Sequence, residues 1–174
     1  GFRVALVDKS DLIVTAPQHY DTPVYALRSS SVEFLISCDV WKNVDLERVV
    51  NIQNMDVFGD DLKSKVSFDA YRLAVEKLGV TIEDANLRGA VNRELISSVG
   101  LHLFTKSRAS TIRQLLDRVI LELSSGDVLE AELVVGADGP SSRLRQIADL
   151  KFAQKNYNEE AVVTNFRVEK VFRN

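Results

Sequence analysis

Hydrophobic positions in this chain fall into short, separated runs. Val4-Ala5-Leu6-Val7 is apolar throughout and ends at Asp8, the pattern of a strand covered on both faces. Val32, Leu35 and Ile36 recur at helical spacing behind Ser30-Ser31-Val32-Glu33. That start reads as a capping box and predicts a helix from about 31 to 38. Cys38 and Trp41, near its end, are expected in the core. Ile52 to Phe58 and Val66 to Phe68, joined at Gly59-Asp60-Asp61, predict a hairpin. Residues 69–78 stay open between a helix, suggested by Ala70, Leu73, Ala74 and Leu78, and a loop leading to a short strand at Val80-Thr81-Ile82. Leu87, Val91 and Leu95 then mark one face of a helix over 83–96, with Glu83 and Asp84 suited to the positive end of its dipole. Strands are expected at 101–104, 111–115 and 118–123. After the turn at Ser124-Ser125-Gly126-Asp127 another is expected from Val128 into Val135. His102 alternates with apolar neighbours and belongs on the polar side of its strand. Residues 9–27 are polar, contain Pro17, Pro23 and His19, and read as a loop.

The run 133–145 organises the rest. Leu133-Val134-Val135 predicts a buried strand, which stops at Gly136-Ala137-Asp138-Gly139-Pro140. Two glycines allow a tight turn and close approach of a ligand. Pro140 suits a first helical turn, and Ser141 or Ser142 can cap a helix to about Ala148. Free N–H groups, one acid, and Arg143 and Arg145 then meet at a strand end, where α/β folds place ligands.

Composition narrows the classes. With 174 residues, 45% of them hydrophobic and 27% charged, the chain can bury a core and is globular. A net charge of −3 argues against a general nucleic-acid binder. Cys38 is the sole cysteine and there are two histidines, so neither an internal disulfide nor metal-site spacing is available. No apolar run reaches the length of a membrane span, and no signal peptide is visible. The expected location is cytoplasmic.

Gly-Ala-Asp-Gly-x-x-Ser-x-x-Arg behind an apolar strand resembles the second flavin motif of the FAD-dependent aromatic hydroxylases. The phrase Met55-Asp56-Val57-Phe58-Gly59-Asp60 is similar to members from ubiquinone biosynthesis. Tyr157-Asn158-Glu159-Glu160-Ala161-Val162-Val163 is similar to the family's Tyr-x-Gln-x-Ala-x-Val, which opens a strand, here to about Val168. The resemblance implies an α/β (α+β) fold: an incomplete Rossmann-like FAD-binding domain (1–50 and 83–150) with part of a substrate-binding β-sheet domain (51–82 and 151–174). It implies FAD as cofactor, NAD(P)H as electron donor and dioxygen as oxidant. An aromatic or polyprenyl-phenol substrate would be hydroxylated. Further implied partners are a homo-oligomer or a ubiquinone-biosynthesis complex, with peripheral contact at the inner membrane.

Cofactor contacts implied are Asp8 at the ribose, Arg28, Gly136, Asp138, Gly139 and Arg143. Asp138 would orient the cofactor, and Arg143 would support the turn or meet phosphate. Arg28 stands in for an arginine that the family carries where Pro23 lies. The flavin carries the chemistry, so no side chain is expected as catalytic acid, base or nucleophile, and no metal site is expected. Pro23 and Glu159 depart from the family pattern. With the glycine motif missing from these residues, they favour one alternative, a non-catalytic scaffold relative; another flavin oxidoreductase of the same fold is the second alternative. The family's Gly-x-Gly-x-x-Gly would fall before Gly1. These 174 residues are therefore read as an internal fragment. Alone, they are expected to hold no FAD and to self-associate through open apolar edges at Val4–Val7 and Leu133–Val135.

Overall fold

Val4–Val7 forms β1 of a computed structural model that describes residues 2–12, 23–61 and 63–164. The later elements are β2 (Val24–Arg28), α1 (Ser29–Ser37), β3 (Val50–Ile52), β4 (Asn54–Phe58), β5 (Lys65–Asp69), β6 (Gly79–Glu83), α2 (Asp84–Ser97), β7 (Leu101–Phe104), β8 (Ala109–Gln114), β9 (Val119–Leu123), β10 (Val128–Ala131) and α3 (Arg143–Ile147). The result is a mixed α/β arrangement of two- and three-stranded sheets. It divides into two compact units, Gly1–Leu12 with Ser98–Glu160, and Ile13–Ser97 with Ala161–Asn174.

In the first unit β1 pairs in parallel with β7, from Val4 opposite Leu101 to Val7 opposite Phe104. Parallel pairs need a crossover connection, and here nearly a hundred residues intervene. β8, β9 and β10 form an antiparallel meander with β9 in the middle. Leu121 and Leu123 on that central strand are buried. Gly126, at φ +94°, makes the expected turn between β9 and β10.

In the second unit β6 lies between β2 and β3, antiparallel to both. Its Val80 and Ile82 are fully buried. Val40, Val44, Ile82 and Ala90 form the core, with Leu27, Leu35, Trp41 and Leu87 packed on it. Gly79 must lack a side chain, because a Cβ there would lie 2.3 Å from the Leu27 carbonyl oxygen. Buried polar groups fasten the segment before β3 to β6 and α2. Arg48 grips Glu83 with two bonds, Nε to Oε2 at 2.6 Å and Nη2 to Oε1 at 2.8 Å. The Asn86 side chain bonds both the N–H and the carbonyl of Asp45. The β4–β5 hairpin forms as expected, with Met55 opposite Phe68.

Several expectations need correction. Residues 24–27 are not loop: with Arg28 they form β2, because β6 supplies a ladder partner far away in sequence. Helix α1 starts at Ser29, with Arg28 at the cap position and no side-chain cap bond. Ser30 is therefore already helical, and the capping box does not form. Cys38 is exposed at that helix's end, while Trp41 does pack on the core. The segment 133–135 is not a buried strand. Leu133 and Val135 are 75% and 74% exposed, because no strand among the described residues pairs with them. For the same reason 157–164 are not a strand, and Val162 is 91% exposed. The remainder of that expected strand, and His19 and Tyr20, lie outside the described residues.

Candidate functional site

The turn after the meander is built from its own residues. Gly139 sits at φ +88°, a region that side-chain-bearing residues avoid. Among the described residues beyond its chain neighbours, nothing lies within 4 Å of where its Cβ would be, so that face of its backbone is open to approach. Gly136 is glycine for another reason: a Cβ there would come within 3.1 Å of the Leu144 side chain. Ser142 is the N-cap of α3. Its hydroxyl donates to Asp138 Oδ1, and its oxygen accepts the Arg145 N–H at 3.0 Å. The other Asp138 oxygen accepts the Leu144 N–H at 3.0 Å. These donors, the Ser142 hydroxyl first, hold the Asp138 carboxyl below the usual carboxylate range. Asp138 thus fixes the helix start with both oxygens.

Arg143 is exposed, and its side chain makes no hydrogen bond or ion pair among the described residues. Support of the turn falls instead to Arg145, whose Nη2 donates to the Pro140 carbonyl at 2.6 Å. The spacing of the motif held that signal, since Ser-x-x-Arg counted from Ser142 ends at Arg145. Ser142 and Arg145 are the two residues that the expected site left out.

Asp8 stands at the carboxyl end of β1. Its N–H donates to the Phe104 carbonyl at 3.0 Å, and its own carbonyl accepts the Ser107 N–H at 3.0 Å. The backbone is therefore anchored at the ends of both parallel strands. Its Oδ1 accepts the Ser10 N–H at 2.6 Å, and Oδ2 accepts no hydrogen bond among the described residues. Arg28 ends β2, exposed, and belongs to the other compact unit. Asp8, Gly136, Asp138, Gly139 and Arg143 all lie in the first unit.

Taken singly, each of these groups has the chemistry of a dinucleotide contact. An acid with an open oxygen at a strand end matches a ribose hydroxyl pair. A bare Gly139 backbone permits close approach, and the Arg143 cation has no partner among the described residues to give up.

No protein-family model matches the chain. In sequence it is 26% identical over 170 residues to 3-demethoxyubiquinol 3-hydroxylase of Escherichia coli (strain K12), covering 97% of this chain and 43% of that protein. It is 24% identical over 153 residues to the ubiquinone biosynthesis monooxygenase COQ6, mitochondrial, of Caenorhabditis elegans, covering 86% and 34%. The chain spans between a third and a half of the length of these curated relatives. In structure it matches pqsL, a probable FAD-dependent monooxygenase from Pseudomonas aeruginosa, with a TM-score of 0.64 at 18% identity, over 89% of this chain and 41% of that one. That likeness shows a shared fold. Along most of its length the chain is thus similar in sequence to part of the named ubiquinone-biosynthesis hydroxylases, and in fold to part of a probable FAD-dependent monooxygenase.

Proposed function

We propose that the chain is part of an FAD-dependent monooxygenase that hydroxylates the aromatic ring of a ubiquinone precursor, with NAD(P)H as reductant and dioxygen as oxidant. The observation that carries this reading is the Asp138–Gly139 turn. It is held rigid from within and is open on its glycine face, in a chain that aligns with ubiquinone hydroxylases along most of its length. Bound FAD would supply the activation of dioxygen. This chain's residues bind and orient. Asp8 accepts from ribose hydroxyls, Gly139 lets the cofactor chain lie against the backbone, and Arg143 offers a cation to phosphate. Asp138 acts at one remove, by fixing the turn. Arg28, in the other unit, is assigned to the flavin on resemblance alone.

On this reading 1–50 and 83–150 belong to a Rossmann-like cofactor domain. Residues 51–82 and 151–174, including the β4–β5 hairpin, belong to the substrate sheet. The hydrophobic substrate makes the inner-membrane surface the natural place of work. Among the described residues no helix is long and apolar enough to cross a membrane.

The test uses the gene product that contains these residues. It is incubated with NAD(P)H, oxygen and a polyprenyl-phenol, and the lipid extract is analysed by mass spectrometry. A product heavier by one oxygen, labelled from ¹⁸O₂, is expected. NAD(P)H consumption that yields only peroxide, or none at all, contradicts the reading.

A further inference from the structure

We infer that Ser107 is a positioning residue for the Asp8 carboxylate, holding the end of β1 against the turn between β9 and β10. Ser107 is 2% exposed, and a hydroxyl buried that far needs partners. It donates to Ser125 Oγ at 3.1 Å and lies 3.4 Å from Ser124 Oγ. The Ser125 hydroxyl donates in turn to Asp127 Oδ2 at 2.7 Å, so the chain of hydroxyls ends on a charge. The backbone repeats the tie. The Arg108 N–H donates to Ser124 Oγ at 3.0 Å, and the Ser124 N–H donates to the Arg108 carbonyl at 2.8 Å. The turn that receives these bonds is closed by its own, from the Leu123 N–H to Asp127 and from the Gly126 N–H to Leu123, which makes it a firm anchor.

On its other side the same segment grips residues 8–11. The Ser107 N–H donates to the Asp8 carbonyl at 3.0 Å, and the Lys106 N–H donates to the Ser10 carbonyl at 3.3 Å. Lys106 Nζ also reaches Asp11 Oδ2 at 2.7 Å, an exposed pair of small weight by itself. Lys106 sits at φ +54°, a left-handed conformation that a side-chain-bearing residue keeps only where its surroundings hold it. The Ser107 hydroxyl, one residue on, is the buried group that supplies this hold. Ser10, whose carbonyl Lys106 fixes, donates its N–H to Asp8 Oδ1 at 2.6 Å. The carboxylate is therefore oriented by segment 105–108, and the serine cluster 17 and 18 positions beyond Ser107 sets the place of that segment.

The bearing of Ser107 on the cofactor rests on the flavin reading above. FAD is titrated into the deflavinated gene product that contains residues 1–174, as wild type, Ser107→Ala, Ser125→Ala, Asp8→Ala, and each serine variant combined with Asp8→Ala. Thermal midpoints are recorded alongside. Ser107→Ala should weaken FAD binding about two- to tenfold, the weight of one hydrogen bond, and Ser125→Ala should fall at the lower end of that range. Neither should weaken binding further once Asp8 is replaced, because residues that act through one another do not add. A role in folding alone lowers the midpoint and shifts affinity equally, or not at all, in the two backgrounds. Wild-type affinity in Ser107→Ala, or the same loss with and without Asp8, overturns the inference. If Ser107→Ala does not fold, Ser125→Ala decides by the same two criteria. Wild-type affinity in Asp8→Ala overturns it as well, since no carboxylate contact is then left to position. A wild type that takes up no FAD removes the flavin reading instead.

Discussion

The Ser142 hydroxyl donates to the Asp138 carboxylate while its oxygen caps α3 through the Arg145 N–H. One side chain therefore ties the turn to the helix that follows. Ser142 is itself buried. Ser142→Ala should destabilise the chain by about 1 kcal/mol, the usual cost of losing an N-cap. Urea unfolding of the two proteins checks this, and an unchanged midpoint would show that the cap carries no stability.

The same geometry sets a pH dependence. The Ser142 hydroxyl, then the Leu144 N–H, hold the folded Asp138 carboxyl below its ordinary value. A depressed carboxyl stabilises the fold above the unfolded pKa of about 3.9. That contribution fades as pH falls through the lower folded value. Asp138→Asn should flatten the acid limb of the stability curve below about pH 4, with stability near neutrality changed mainly by the altered bonds. Part of the slope should remain, because the Asp11, Asp56 and Asp61 carboxyls are held low as well. All these groups are exposed, so the effect is small and salt-sensitive. An acid limb identical in wild type and Asp138→Asn would contradict it.

Gly139 has room for a side chain but not the backbone for one. Substitution should therefore act through strain and not through collision with the protein. Asn visits positive φ more readily than a β-branched residue. Gly139→Asn should cost roughly 1 kcal/mol and Gly139→Val clearly more. Equal thermal midpoints for the two variants would point to sterics instead.

Local pattern explains which parts of this structure were readable beforehand. β1, the β4–β5 hairpin, α2 and the β8–β10 meander follow from alternation, helical spacing and turn residues within a few positions of each other. The strand at 24–28 was not readable, since what makes it a strand is β6, more than 50 residues on. The opposite error at 133–135 has the same origin. Three apolar residues have the composition of a strand, but without a ladder partner among the described residues they form none, and Leu133 and Val135 are exposed. In the site, the Asp-Gly turn and its serine cap were legible. The division of labour between Arg143 and Arg145 was also held in the spacing, since Ser-x-x-Arg counted from Ser142 ends at Arg145. The Arg48–Glu83 pair left no sequence signal, because its partners are 35 positions apart.

That pair supports its own prediction. The Arg48 and Glu83 side chains are only 17% and 7% exposed, so removing the guanidinium leaves a buried carboxylate without its main countercharge. Arg48→Met should cost about 3 kcal/mol. The double variant Arg48→Met/Glu83→Leu should regain much of this, since an apolar pair avoids the desolvation penalty. Additive losses in the double variant, measured by urea unfolding, would show that the two residues act independently.

The central claim is that this chain presents flavin contacts, and Asp8 tests it most directly. Its backbone is held by Phe104 and Ser107, independently of its side chain. Asp8→Ala should therefore remove the ribose acceptor and leave the strand end in place. In the gene product that contains residues 1–174, FAD titration followed by flavin fluorescence should show the variant binding about ten- to hundredfold more weakly. That is the range for hydrogen bonds to a charged group, roughly 1.5–3 kcal/mol. An Asp8→Ala protein that binds FAD as tightly as the wild type would contradict the account.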